Sequence, residues 1–233
     1  MTMNGLEVKS LTLGLLNSET ERDRQRKVGA SQISDPCDKH LAKALSGEPQ
    51  EPSKYWLGGK MGTATHLLLE SFIPESKDED LAGAIVEKKI VLGELENYGT
   101  INSKPDLYLP ARSHLIDWKT ATRDKTRKLR KFLDGESKDA SSEYTLKKYI
   151  GQTQLYAWGL NNAGMEVENI SLVFINRDGT NEADIWEHTF PYQEDLAIGL
   201  WDRLTWIWDK LTEGEHPDNF SGEDGCFLCT TGK

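Results

Sequence analysis

The chain has 233 residues, 37% of them hydrophobic, and a formal net charge of −10. This length suits one domain with peripheral elements, and no run of about 18 apolar residues is present to span a membrane. The acidic balance excludes a general polyanion binder, and the start, MTMNGLEVKSLTLGLLNSETERDRQRK, lacks a basic-then-apolar leader, so the expected location is cytoplasmic.

Residues 1–30 read as a helix with a polar stretch. Ser34-Asp35-Pro36 can open a helix with Cys37 in its first turn and Leu41 and Leu45 on one face. Residues 46–53 form a loop. In GKMGTATHLLLESF, Met61, His66, Leu69 and Phe72 recur near helical spacing. Three β-rich stretches follow: AIVEKKIVLG, YGTINSKPDLYLP and SHLIDWKTA. The short link Pro110-Ala111-Arg112 predicts a hairpin, pairing a strand 101–109 with a strand 113–119. The run KTATRDKTRKLRK, residues 119–131, holds seven basic side chains and one acid. It is either a local patch for a polyanion or a solvated helix face. Residues 133–143 read as a polar loop.

TLKKYIGQTQLYAWGLNNAG is a helix, and ISLVFINR and ADIWEHTF are strands. A long last helix is striped by Leu196, Leu200, Trp201, Leu204, Trp208 and Leu211; Trp201, Trp206 and Trp208 are read as packing residues. Elements in this order predict an α/β fold around a central mixed sheet flanked by helices. The expected organisation is an N-terminal extension over 1–30, a core over 31–213 and a cysteine-containing tail over 214–233 that packs back near Cys37.

The chemistry concentrates at the strand ends. Residues two apart on a strand share a face, so Asp117 and Lys119 project together while Trp118 points the other way. With the strands paired, Asp106 can come near Asp117. Two close carboxylates stay ionised when a cation sits between them, and hard oxygen ligands favour Mg²⁺ or Mn²⁺. A lysine beside that metal can orient a water or neutralise charge growing on a phosphate. In GTATHLLLE, His66 and Glu70 share a helix face, as Gln152 and Tyr156 do in GQTQLYAWG. Taken singly, each also reads as an ordinary core or surface residue.

Together and in this order, GxxxHxxxE, PD, DxK and QxxxY resemble the motifs of the PD-(D/E)XK nucleases, in the RecB-like branch with its CRISPR-associated and stand-alone phage-type exonucleases. The third motif begins with Asp rather than the commoner Glu. The resemblance implies a restriction-endonuclease-like core and a metal-dependent DNA exonuclease of recombination, repair or phage DNA metabolism. His66, Asp106, Asp117 and the Trp118 backbone carbonyl would ligate Mg²⁺ or Mn²⁺, with Glu70 at a second ion or orienting the site. Lys119 would be catalytic, and Gln152 and Tyr156 would brace it or hold a phosphate. The DNA grip is expected from Arg123, Lys125, Arg127, Lys128, Arg130, Lys131, Lys147 and Lys148, with the loop 133–143 closing over a strand. The expected partners are DNA and a recombination or single-strand-binding protein, with no membrane. A restriction-type or structure-specific endonuclease and a catalytically silent DNA-binding module remain the alternatives.

Three cysteines, Cys37, Cys226 and Cys229, argue against a disulfide framework. Related nucleases place one cysteine upstream and three downstream around a 4Fe–4S cluster. Here only two lie downstream. Cys37, Cys226, Cys229 and His40 would make a Cys₃His zinc set. His216 or Asp224 can stand in for His40, an iron–sulfur cluster with one unusual ligand is the other metal reading, and reduced thiols without metal are the simplest one.

Overall fold

A computed structural model describes residues 28–48, 56–226 and 229 of the chain. The helix expected over 1–30 therefore lies, up to residue 27, outside the described residues.

The helical elements before the sheet are α1 (Ala30–Ile33), α2 (Asp38–Leu45) and α3 (Trp56–Phe72). Cys37 is the N-cap of α2 rather than a residue of its first turn. Leu41 and Leu45 are buried, as their spacing predicts. The strands are β1 (Ile85–Val86), β2 (Ile90–Leu95), β3 (Gly99–Ser103), β4 (Leu107–Leu109) and β5 (His114–Ala121). After them come α4 (Arg123–Leu133), α5 (Ala140–Asn162), β6 (Asn169–Asn176), β7 (Ile185–Pro191) and α6 (Glu194–Thr212). No helix among the described residues is long and apolar enough to cross a membrane.

The main sheet has the order β1-β4-β5-β6-β7, and β2 and β3 form a separate antiparallel pair. β5 and β6 run parallel, while the other pairs are antiparallel. The sheet is thus mixed, as the sequence predicts. The crossover from β5 to β6 is made by α4 and α5, since parallel neighbours need a long connection.

Two expectations are corrected. The strand 101–109 is not continuous. Its first half pairs with β2 and its second half with β5. Lys104-Pro105-Asp106 separates them, and a proline, with no N–H, cannot continue a ladder. The polar stretch 133–143 is also shorter than a full loop. Asp139 caps α5 by accepting from the Ser142 N–H, and the helix begins at Ala140.

The larger core lies on one face of the sheet. Leu115 and Ile170 meet Leu155, Ala157 and Leu160 of α5 there, and Leu204 and Ile207 of α6 close it. On α6 the fully buried positions are Ala197, Leu204 and Ile207. Leu200, Trp201, Trp208 and Leu211 pack at the margin and Leu196 is exposed, so the core-facing stripe is rotated from the expected one. Trp201 packs on Trp158 and Trp208 on Tyr98, while Trp206 is exposed with an edge contact to Phe220. On the opposite sheet face, Leu107, Leu109 and Trp118 pack against Leu69 and Ile73 in and just beyond α3. The sheet is therefore sandwiched between α5 and α3.

Candidate active site

Leu107 stands opposite Ile116 in the β4–β5 register, so Asp106, one step earlier, stands level with Asp117. Asp106 is buried, and its Oδ2 accepts the Trp118 N–H at 2.8 Å, a position that a backbone carbonyl of β4 would fill if that strand continued. Its other oxygen, Oδ1, lies 3.3 Å from His66 Nδ1. The site thus forms where β4 stops and both sheet faces become accessible at once. His66 arrives from the α3 face, its ring edge-on to Trp118 at 5.9 Å. Asp117 and Lys119 arrive from the α5 face. Gly62 permits this approach, since a Cβ there would lie 2.9 Å from Thr120 Oγ1. The absence of that atom lets α3 close on β5 and sets His66 one turn further along.

Lys119 Nζ lies 2.6 Å from Asp117 Oδ2 and donates to Gln152 Oε1 at 3.0 Å. Gln152 Nε2 in turn donates to the Tyr156 hydroxyl at 2.6 Å. The Tyr149 ring lies under the ammonium, 4.8 Å away, so a cation–π contact adds to the carboxylate's hold. Gln154, two residues along the same helix, is structural: it bonds the Pro191 carbonyl and the Gln193 N–H.

The electrostatics follow from burial and close charges. Burial pushes the Asp117 carboxyl up to about 6, with Asp106 adding to the effect and Lys119 opposing it. Burial raises Asp106 too. There the His66 hydrogen bond and charge, helped by Lys119, more than offset it and leave the carboxyl below its usual value. For Lys119, burial acts against the charged form but the two aspartates outweigh it, and its pKa is raised.

Glu87 carries a further carboxylate that the sequence pattern did not single out. It interrupts the chain between β1 and β2 with φ 45° and donates its N–H to the Asp106 carbonyl at 3.2 Å. A non-glycine residue at positive φ is uncommon and marks a local constraint. His66, Glu87 and Asp106 each bring one ligating atom within 4.8 Å of the others. Asp117 stands beside this group with its carboxylate turned to Lys119. Two carboxylates and an imidazole in a buried setting form a donor set that fits a divalent cation. The Trp118 N–H and carbonyl turn to the same edge of the strand, so the carbonyl opens toward this group. Glu70 and His66 line a cleft of about 600 Å³ together with Gln152 and Tyr156.

The basic run maps to α4 and the start of α5, but most of its charge is matched. Arg123 bonds Asp184 at 2.7 and 2.8 Å. Asp124 holds Arg127 and Lys128, Asp134 meets Arg130, and Glu143 meets Lys147. Lys125 lies over the Tyr149 ring at 5.8 Å. Lys148 turns inward to Asp35 at 2.7 Å. Lys131 is exposed on the last turn of α4. The expected grip is thus a helix face whose charge is partly paired, with Lys125 and Lys131 not paired to a carboxylate among the described residues.

A second cluster joins the head of α2 to residues beyond α6. The sulfurs of Cys37, Cys226 and Cys229 converge within 4.8 Å, with Cys37 and Cys229 3.4 Å apart. Burial, with the neighbouring thiols, pushes Cys37 up to about 12. The buried Asp35 braces this corner. It accepts from the Cys37 N–H at 3.1 Å, from Lys148, and from the Tyr144 hydroxyl, and pairs with His40 Nδ1 at 2.9 Å. His40 stands outside the set that converges within 4.8 Å, while its Nδ1 bond to Asp35 leaves Nε2 as the nitrogen open to a ligand. His216 and Asp224 are exposed and also outside it.

No protein-family model matches the sequence, and no curated protein is significantly similar to it. Solved structures are similar in fold. The alkaline exonuclease LHK-Exo from Laribacter hongkongensis superposes with a TM-score of 0.52 at 16% identity, over 82% of this chain and 91% of that one. Its complex with dAMP gives 0.50 at 15%, over 82% and 90%. A phage-related exonuclease from Haemophilus somnus gives 0.50 at 14%, over 80% and 95%. The fold is that of these exonucleases. At such identities the likeness concerns architecture, and the chemistry must be argued from the residues.

Proposed function

We propose that this chain is a metal-dependent deoxyribonuclease that acts as an exonuclease of the RecB-like kind. The observation that carries the reading is the adjacency of two groups: the His66–Glu87–Asp106 donor set and the Asp117–Lys119–Gln152 chain beside it. The exonuclease mode is supported by the fold shared with proteins described as exonucleases.

His66, Asp106 and Asp117, with Glu87, the Trp118 carbonyl and Glu70 as further donors, would hold Mg²⁺ or Mn²⁺. Bound there, such an ion lowers the pKa of a water and polarises the scissile phosphate. Lys119, kept charged by two aspartates, orients the attacking water and opposes the negative charge that grows on the phosphate oxygens. Gln152 fixes the ammonium by accepting a hydrogen bond from it, and Tyr156 fixes the amide by accepting one from its Nε2. Such positioning matters because small displacements of a catalytic group cost large factors in rate. Cys37, Cys226 and Cys229 are proposed to hold a structural zinc ion, with an iron–sulfur cluster as the alternative that elemental analysis separates. The proposed setting is recombination, repair or phage DNA metabolism, in the cytoplasm, with a recombination or single-strand-binding protein as partner.

Cleavage of end-labelled linear DNA and of closed circles, with and without Mg²⁺ or Mn²⁺, tests the reading. Linear DNA should be degraded only with metal, and circles spared. Lys119→Ala and Asp117→Asn should each lower the rate by at least about a hundredfold while the far-UV spectrum is kept. Full activity in either variant would reject the site, and cleavage of circles would reassign the enzyme as an endonuclease.

A further inference from the structure

Part of the charge of α4 is paired with Asp124, Asp134 and Asp184, and a second set of cations lies closer to the donor set. Alternate residues of a strand share a face, and β3 divides its residues accordingly. Ile101 and Ser103 turn inward: Ile101 is fully buried, and the Ser103 hydroxyl accepts the Ala30 N–H at 2.8 Å. Thr100 and Asn102, followed by Lys104 just past the strand, line the same cleft as His66 and Glu70, with Ser103 at its edge, and Lys89, the residue before β2, joins them. Both lysines are exposed and make no ion pair with a described residue. The acids of the same cleft, Glu70 and Glu87, belong to the proposed metal side. The cleft therefore combines carboxylates suited to a cation with a hydroxyl, an amide and two ammonium groups. Leu67, exposed on the α3 lip, offers apolar surface beside them.

We propose that a single DNA strand is held in this cleft by the outer face of β3, through Thr100, Asn102 and Lys104 together with Lys89, rather than by α4. The proposal rests on the nuclease reading and names the binding surface of that same site. Hydroxyl and amide groups bonding phosphate and sugar fix a strand without reading its sequence, so binding is sequence-independent. The volume of about 600 Å³ suits a short single-stranded stretch rather than the body of a duplex.

The test is fluorescence polarisation of a labelled single-stranded oligonucleotide in EDTA across a salt series, joined to steady-state cleavage in Mg²⁺. Wild type is compared with the double variant Lys89→Gln/Lys104→Gln, with Arg127→Gln/Lys128→Gln, and with Lys210→Gln as a surface control paired to Glu213. The β3 variant should bind at least about tenfold more weakly, with the log–log salt slope flattened by about 0.7 per lysine. Its KM should rise more than its kcat falls, its melting temperature should be kept, and Lys210→Gln should match wild type. A β3 variant with wild-type Kd and slope, or a loss confined to Arg127→Gln/Lys128→Gln, overturns the assignment while active wild type leaves the nuclease reading standing. Wild-type protein that neither binds nor cleaves DNA sinks both.

Discussion

Asp117→Asn exposes the electrostatic tension of the apo site. Burial holds the Asp117 carboxyl at about 6 against an ordinary 3.8. A carboxyl whose pKa rises on folding holds its proton more tightly in the folded state. Its stabilising contribution is complete below about pH 4 and is lost as pH climbs to about 6. At about 1.36 kcal/mol for each pH unit between the two values, the loss is about 3 kcal/mol in metal-free protein. Urea unfolding in EDTA at intervals from pH 4 to pH 7 measures it. Asp106, His66 and Lys119 are charge-coupled to Asp117 and shift with it, so the wild type should lose more stability than Asp117→Asn over that range, by up to about 3 kcal/mol. Mg²⁺ at neutral pH should restore wild-type stability by mass action and do little for the variant. Parallel stability curves for the two proteins, with or without Mg²⁺, would refute the reasoning.

Removing Asp35 strands Lys148 and Tyr144 in a buried corner, so Asp35→Ala should cost about 3–5 kcal/mol and lower the melting temperature by about 6–20 °C, read by circular dichroism. Because its neighbours hold Asp35 well below the usual carboxylate range, this contribution is present above about pH 4 and fades as pH falls further. Glu87→Gln keeps the side-chain shape but removes a charged donor. Mn²⁺ affinity, measured by electron paramagnetic resonance, should fall about tenfold or more, and unchanged affinity would remove Glu87 from the site. At Gly159 a Cβ would lie 2.9 Å from both Ile90 Cδ1 and Leu92 Cδ2. Gly159→Val should therefore destabilise by about 1–3 kcal/mol in chemical denaturation.

The parts of the fold governed by local periodicity were legible. The helix around His66, the strand carrying Asp117 and Lys119, and the helix carrying Gln152 and Tyr156 all appear where their spacing puts them. Parallel pairing of β5 with β6 was not legible, because it depends on partners far apart in the chain. Glu87 escaped notice for a local reason. Between Val86 and two lysines it reads as a surface charge, and only the left-handed backbone at that residue turns it toward Asp106. Part of the pairing of the basic run was not legible because some counter-ions are distant in the chain: Asp184 for Arg123 and Asp35 for Lys148. The Asp35 bond to His40 Nδ1 was likewise not legible, since only the fold brings that carboxylate to the ring.

The head of β4 has a consequence for assembly of the chain. His66, Asp106 and Lys119 belong to three separate elements, and they meet only after both covering helices have docked on the sheet. A nascent or partly collapsed polypeptide has no competent centre at all. The groups are brought together by tertiary packing alone, so an isolated segment of the chain carries no more than a fragment of the arrangement.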